Sequence, residues 1–132
     1  MSADSTRLSL NVLVAEDDED MRALIVETLR SDGHHVTEAS DGADLLVRLR
    51  EGIRSADKPA VIVTDVLMPN LSGLGVLATL HRAGCHIPVI LITGLADESV
   101  LTVAKRFGHV TFFKKPVDID KLREAVVDAH RF

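Results

Sequence analysis

An apolar run, Val61-Ile62-Val63-Thr64, ends in the carboxylate Asp65, and Met68, Pro69 and Gly73 follow it in the next loop. A second apolar run, Leu10 to Ala15, ends in three acids in a row, Glu16, Asp17 and Asp18. If both runs are strands of one open α/β sheet, their acids meet at its carboxyl edge, where ligands and reactions gather in such folds. Carboxylates delivered there by two strands suit a divalent-metal site, and one of them suits a nucleophile. Two carboxylates about 5 Å apart repel by about 3 kcal/mol at an effective dielectric near 20, and a bound cation removes that repulsion. Taken alone, the acids from Glu16 to Asp20 read as caps of a following helix; Glu19 and Asp20 keep that reading, favourable near the positive end of the helix dipole.

The elements that must position these groups follow a strict alternation. Strands are expected at Leu10–Ala15, His35–Ala39, Ala60–Thr64, Pro88–Thr93 and Val110–Phe113. Between the first two, Met21, Leu24, Ile25, Thr28 and Leu29 mark a helical stripe, which Asp32-Gly33 stops. Asp41-Gly42 opens a second helix with Leu45, Leu46, Leu49 and Ile53, and Ser72 caps a third bearing Leu74, Leu77 and Leu80, ended by Gly84. Val100, Val103, Ala104 and Phe107 mark a fourth, closed by Gly108. In the fifth, Asp118 is the cap and Val117 and Leu122 form a hydrophobic staple; its inner face is Ile119, Leu122, Ala125, Val126 and Ala129. Alternation of this kind implies a parallel sheet with helices on both faces, a three-layer α/β sandwich with right-handed crossovers. Ser55 to Pro59 reads as a loop, and no domain boundary is expected between Leu8 and His130. Five strands ending at one edge bring together Glu16, Asp17, Asp65, Thr93 and Lys115.

The composition removes several function classes. A chain of 132 residues with 46% apolar content fits one domain with a proper core. A net charge of −5 argues against a nucleic-acid surface. The polar segment from Met1 has no apolar signal core, and Val89 to Ile92 is far too short to cross a bilayer. One cysteine, Cys85, excludes an internal disulfide and fits a reducing cytoplasm. No pair among the six histidines has the i, i+4 spacing with a carboxylate that a zinc site uses; surface or capping positions are expected for them.

Four motifs, each at an expected strand end and in consistent order, carry a resemblance. They are Val14-Ala15-Glu16-Asp17-Asp18, Asp65-x-x-Met68-Pro69-x-x-x-Gly73, Leu91-Ile92-Thr93-Gly94 and Phe112-x-x-Lys115-Pro116. Over nearly all of Leu8 to His130 the chain resembles the receiver domain of two-component response regulators, the CheY-like superfamily. The resemblance implies a (βα)5 flavodoxin-like fold with strand order 2-1-3-4-5, and a receiver spanning residues 8–132 after a short tail, residues 1–7. It implies that Asp65 is the phosphoacceptor. Asp17, Asp65 and the backbone carbonyl of Leu67 become Mg²⁺ ligands, with Glu16 acting through a metal-bound water. Mg²⁺ fits such a set, because it takes oxygen ligands and commonly uses one or two carboxylates with a phosphate. Thr93 and Lys115 become contacts of the phosphoryl oxygens, and a cis peptide is expected at Lys115-Pro116. Proline also keeps Lys115 out of helix. Phe112 takes the place of the switch aromatic, often tyrosine in the family; without a hydroxyl it must act through packing, and core packing is the competing reading for Phe112 and Phe113. His109 departs from the family, which has a small residue there.

The implied role is a phosphorylation-controlled switch rather than a turnover enzyme. A histidine kinase or histidine phosphotransfer protein donates, and the surface of the fourth helix, fifth strand and fifth helix meets a downstream target protein or a second copy. Lys105, Arg106, Lys121, Arg123 and Val127 are the exposed candidates on that surface. Leu67 and Leu95, apolar at positions that adjust hydrolysis in the family, predict a long-lived phosphoryl-aspartate. No output module is expected in this chain, which reads as a stand-alone receiver or a fragment of a longer regulator. A phosphorylation-independent interaction module is the alternative, opposed by the joint presence of Asp17, Asp65, Thr93 and Lys115. An aspartyl phosphatase would want an acid where Leu67 stands. A flavin site would want Ser/Thr where Glu16, Asp17 and Asp18 would repel phosphate.

Overall fold

The elements alternate without exception: β1 (Asn11–Ala15), α1 (Glu19–Ser31), β2 (His35–Ala39), α2 (Gly42–Arg54), β3 (Val61–Asp65), α3 (Gly73–Arg82), β4 (Val89–Thr93), α4 (Glu98–Lys105), β5 (Val110–Lys114) and α5 (Ile119–His130). The computed structural model describes residues 8–68, 70–94 and 98–130, without the side chains of residues 98–100 and 130. Pro69, Leu95, the tail before Leu8 and the side chains of Val100 and His130 therefore lie outside the described residues.

The strands form one parallel sheet in the order β2-β1-β3-β4-β5, as expected. β3 and β4 are buried along their whole length, the consequence of lying inside a parallel sheet covered on both faces. Side chains alternate between two cores with the period of two that a strand imposes. Val12, Val14, Val61, Val63, Ile90 and Ile92 pack against Ile25, Val26 and Leu29 of α1 and Leu122 and Val126 of α5. Leu13, Ala15, Ile62, Val89 and Leu91 pack against Leu45 and Leu49 of α2, Val76, Leu77 and Leu80 of α3, and Ala104 of α4. Phe112 joins the second core and Phe113 the first, both half-buried.

The helix boundaries follow local chemistry. Asp18 caps α1, its Oδ1 accepting the Asp20 and Met21 amides at 2.9 and 3.2 Å. Asp41 caps α2, Ser72 caps α3, and Asp118 accepts the Asp120 and Lys121 amides at the start of α5. Each acceptor satisfies amides that a helix start leaves without an intrahelical partner.

The structure corrects several expectations. Leu24 and Ile53 are about half exposed, at 51% and 49%, and Val103 is 41% exposed. The buried stripe of α1 runs through Val26 instead of Leu24, because the helix turns its centre toward the sheet and α5. Ile53 lies in the last turn of α2, and Phe107 falls beyond the end of α4. His34 is no surface histidine: it is 5% exposed, and its Nδ1 accepts the Leu10 amide at 3.1 Å. Arg123 faces α1 rather than α4, forming two 2.8 Å bonds to Asp32 at the C-cap of α1. Val127 is half-buried.

Candidate functional site

Strand register builds the site. Ala15 of β1 pairs with Thr64 of β3, so one step further along both strands Glu16 comes beside Asp65. Asp65 itself pairs with Ile92, and Thr93 with Lys114, which carries Thr93 and Lys115 to the same edge. Glu16, Asp65 and Lys115 each stand two residues after a side chain of the α1/α5 core, Val14, Val63 and Phe113. Their shared parity turns them to one side of the sheet.

The acids differ in burial. Glu16 and Asp65 are 1% and 3% exposed, whereas Asp17 is exposed at the mouth. Lys115 Nζ lies 2.5 Å from Asp65 Oδ2 and 3.4 Å from Glu16 Oε1. The other oxygen of Asp65 accepts the Leu67 amide at 3.0 Å. Burial would lower the Lys115 ammonium, but the hydrogen bond and charge of Asp65, with Glu16 behind it, raise it above its ordinary value. Burial pushes Glu16 up to about 7; the Asp18 amide, 3.2 Å from Oε2, opposes this, and the charge of Asp65 adds to it. Glu16 Oε1 is buried with no hydrogen-bond partner, since 3.4 Å to Lys115 is beyond a well-formed bond.

That orphaned oxygen bears on a metal. Among the described residues, Glu16, Asp17 and Asp65 are the one His/Cys/Asp/Glu group able to bring a ligand atom from each within 4.8 Å of the others. An all-oxygen set of clustered carboxylates, one with a buried oxygen whose nearest cation is Lys115 at 3.4 Å and which has no hydrogen-bond partner, fits a hard divalent cation such as Mg²⁺.

The loops around the acids are fixed in ways the sequence did not announce. Gly73 approaches β3 so closely that a Cβ there would stand 2.6 Å from the Asp65 carbonyl oxygen. Asn70, at φ 71°, donates to Asp41 Oδ2 at 2.7 Å and ties the loop after β3 to the cap of α2. The Asp44 amide, with Asn70 second, holds Asp41 below the usual carboxylate range. A Cβ at Gly42 would fall onto the Leu71 carbonyl. Arg22 Nη1 donates to the Glu16 carbonyl at 2.7 Å, and its Nε to Glu38 of β2 at 3.3 Å.

Thr93 ends β4 and is 7% exposed, and its carbonyl accepts the Lys115 amide at 2.8 Å. The Lys115-Pro116 peptide is cis. The Leu67 side chain is 57% exposed, beside the site. Phe112 stands apart from the acids, packed on the core that holds Leu91 and Ala104. Lys114 is exposed, as expected.

The model of the response regulator receiver domain matches residues 12–127. The chain belongs to that family. Its fold is that of solved receivers: the receiver domain of Francisella response regulator 1452 superposes with a TM-score of 0.82 at 28% identity, over 93% of this chain and 98% of that one. Among curated relatives, the C4-dicarboxylate transport transcriptional regulatory protein DctD of Pseudomonas aeruginosa is 34% identical over 87% of this chain, which spans only 24% of it. The transcriptional regulatory protein FixJ of Azorhizobium caulinodans is 37% identical over 83% of this chain, which spans 50% of it. Sporulation initiation phosphotransferase F of Bacillus subtilis is 27% identical and matched over 89% of its length. This receiver domain thus resembles both a part of longer regulators and nearly the whole of a short one. Among the described residues, no helix is long and apolar enough to cross a membrane.

Proposed function

We propose that this receiver domain accepts a phosphoryl group on Asp65 from the phosphohistidine of a histidine kinase or histidine phosphotransfer protein, with Mg²⁺ held by Asp17, Asp65 and the Leu67 carbonyl and assisted by Glu16. The observation that carries the reading is the buried Asp65 carboxylate beside Glu16, paired with Lys115 at 2.5 Å. An oxygen of Asp65 attacks phosphorus, the P–N bond breaks, and the imidazole leaves with the electron pair. Lys115 then transfers its contact from the carboxylate to the phosphoryl oxygens, and the Thr93 hydroxyl donates to another. A bound Mg²⁺ supplies neutralisation of charge on the transferring group. The rest is positioning by rigid strand ends.

Phosphorylation then alters the α4-β5-α5 surface, read by a downstream target protein or a second copy of the chain. Phe112, lacking a hydroxyl, transmits by repacking. The chain works as a cytoplasmic switch, not a turnover enzyme, and the apolar Leu67 offers water no base near the aspartyl phosphate. The test is incubation with Mg²⁺ and acetyl phosphate, followed by intact mass. Wild type is expected to gain about 80 Da, one phosphoryl group, and Asp65→Asn to gain nothing. An adduct that persists in Asp65→Asn, or its absence from both, overturns the reading.

A further inference from the structure

The loop that carries the β1-end acids is held from behind by one residue of α1. The Arg22 amide donates to the Asp18 carbonyl at 2.9 Å, while its guanidinium donates to the Glu16 carbonyl at 2.7 Å. The first is the main-chain bond that opens α1 and would form with any residue there; the second depends on the arginine side chain. The Glu16 carbonyl belongs to the peptide that leads into Asp17, so its direction sets where the Asp17 carboxylate can reach. It lies past the end of β1 and faces β2, whose last residue, Ala39, already spends its carbonyl on the Glu16 amide at 3.2 Å. The ladder offers that carbonyl no donor, and Arg22 supplies one. The side chain is only 17% exposed, and Glu38 fixes its Nε from β2. A guanidinium presents donors in a rigid planar fork, so it can span the two acceptors without losing its orientation.

We propose that Arg22 is a positioning residue for the metal site: it locks the Glu16–Asp17 peptide so that both carboxylates face Asp65. This rests on the Mg²⁺ reading above. Two effects of Arg22 on a cation compete, and they have opposite signs. Its positive charge behind the acids disfavours a second cation, so removing it by charge alone would tighten binding. Its hold on the peptide favours binding, so removing it would loosen the ligands. Residues that orient metal ligands without touching the metal commonly govern affinity by about tenfold or more, whereas the charge of Arg22 is already offset by Glu38, 3.3 Å from its Nε. Positioning is therefore the stronger effect.

The experiment titrates Mg²⁺ calorimetrically into wild type, Arg22→Met and Arg22→Lys, with hydrogen exchange at the Asp17 and Asp18 amides and a denaturation midpoint for each. Arg22→Met is expected to bind Mg²⁺ about tenfold more weakly and to exchange those amides faster. Its phosphorylation by acetyl phosphate should return toward the wild-type rate at saturating Mg²⁺. Arg22→Lys keeps the charge but not the fork, and should fall between the two. Should Arg22→Met not fold, a Lys variant with wild-type affinity and exchange overturns the assignment. So does a Met variant that binds Mg²⁺ as tightly as wild type, or more tightly. A wild type that fails to bind Mg²⁺ overturns the assignment together with the reading beneath it.

Discussion

The two halves of the site edge are built to different standards. On the β1–β3 side every loop is tied down: the Glu16 peptide by Arg22 and Ala39, Asp65 by the Leu67 amide, the loop after β3 by Asn70 and Asp41 and by glycines pressed against backbone. On the other side β4 is as buried as β3, but α4 and β5 beyond it are less covered. Ala104 is the one buried side chain among those described in α4, and no residue of β5 is fully buried. One half fixes charge in space, and the other buries fewer of its described side chains. The proposed switch would use that division, because preorganised ligands reward rigidity while a surface that reports must have a second arrangement within reach.

Glycine substitutions should break the comparison most sharply. Gly42→Ala and Gly73→Ala put a Cβ into backbone on the rigid side, and each is expected to cost about 3 kcal/mol by overpacking. Gly94→Ala at the end of β4 meets, among the described residues, only the Lys115 side chain, at 3.8 Å, and should change stability by no more than about 0.5 kcal/mol. Urea denaturation of the three variants decides this; equal losses would erase the contrast. Mg²⁺ comes next in size. At ten times its dissociation constant it should stabilise the fold by about 1.4 kcal/mol, reversed by a chelator and absent from Asp17→Asn. In hydrogen exchange, protection should rise around β1 and β3 more than in α4.

The smallest effect is a pH response at the other end of β1. Burial, opposed by Asp32, holds the His34 imidazole below its ordinary 6.5. Below pH 6.5 the unfolded chain binds a proton that the folded ring resists, so stability is full above 6.5 and falls as pH drops toward the lowered value. A proton on Nδ1 would also remove the acceptor of the Leu10 amide. An NMR titration of His34 should show a midpoint under 6.5; a midpoint above it contradicts this account.

The fold was readable because alternation of apolar runs and helical stripes leaves few topologies, and nearly every cap and stop stood in the sequence as Asp, Ser or Gly. Most of the site was readable for a related reason: Glu16, Asp65, Thr93 and Lys115 all stand at or just past the ends of strands, so register alone gathers them. What the sequence withheld depends on the third dimension. Leu24 and Val26 are both apolar and lie on nearly opposite sides of α1, and only which face turns to the sheet, the one centred on Ile25 and Leu29, decides between them. His34 is buried because the amide at the start of β1 needs an acceptor, a need that arises once β1 and β2 pair. Arg22 is one arginine among several until the Glu16 carbonyl is seen to lack a donor.

The place of β2 at the end of the strand order has a consequence of its own. β2 is an edge strand, and since the His35 amide points inward to Leu10, the Val36 carbonyl points outward, where a foreign strand would dock. Arg30 Nη2 occupies that carbonyl at 2.9 Å, with Glu38 beside it at 3.8 Å. A charged cover of this kind blunts edge-to-edge pairing between molecules, so the flank beside the acid cluster is also guarded against aggregation.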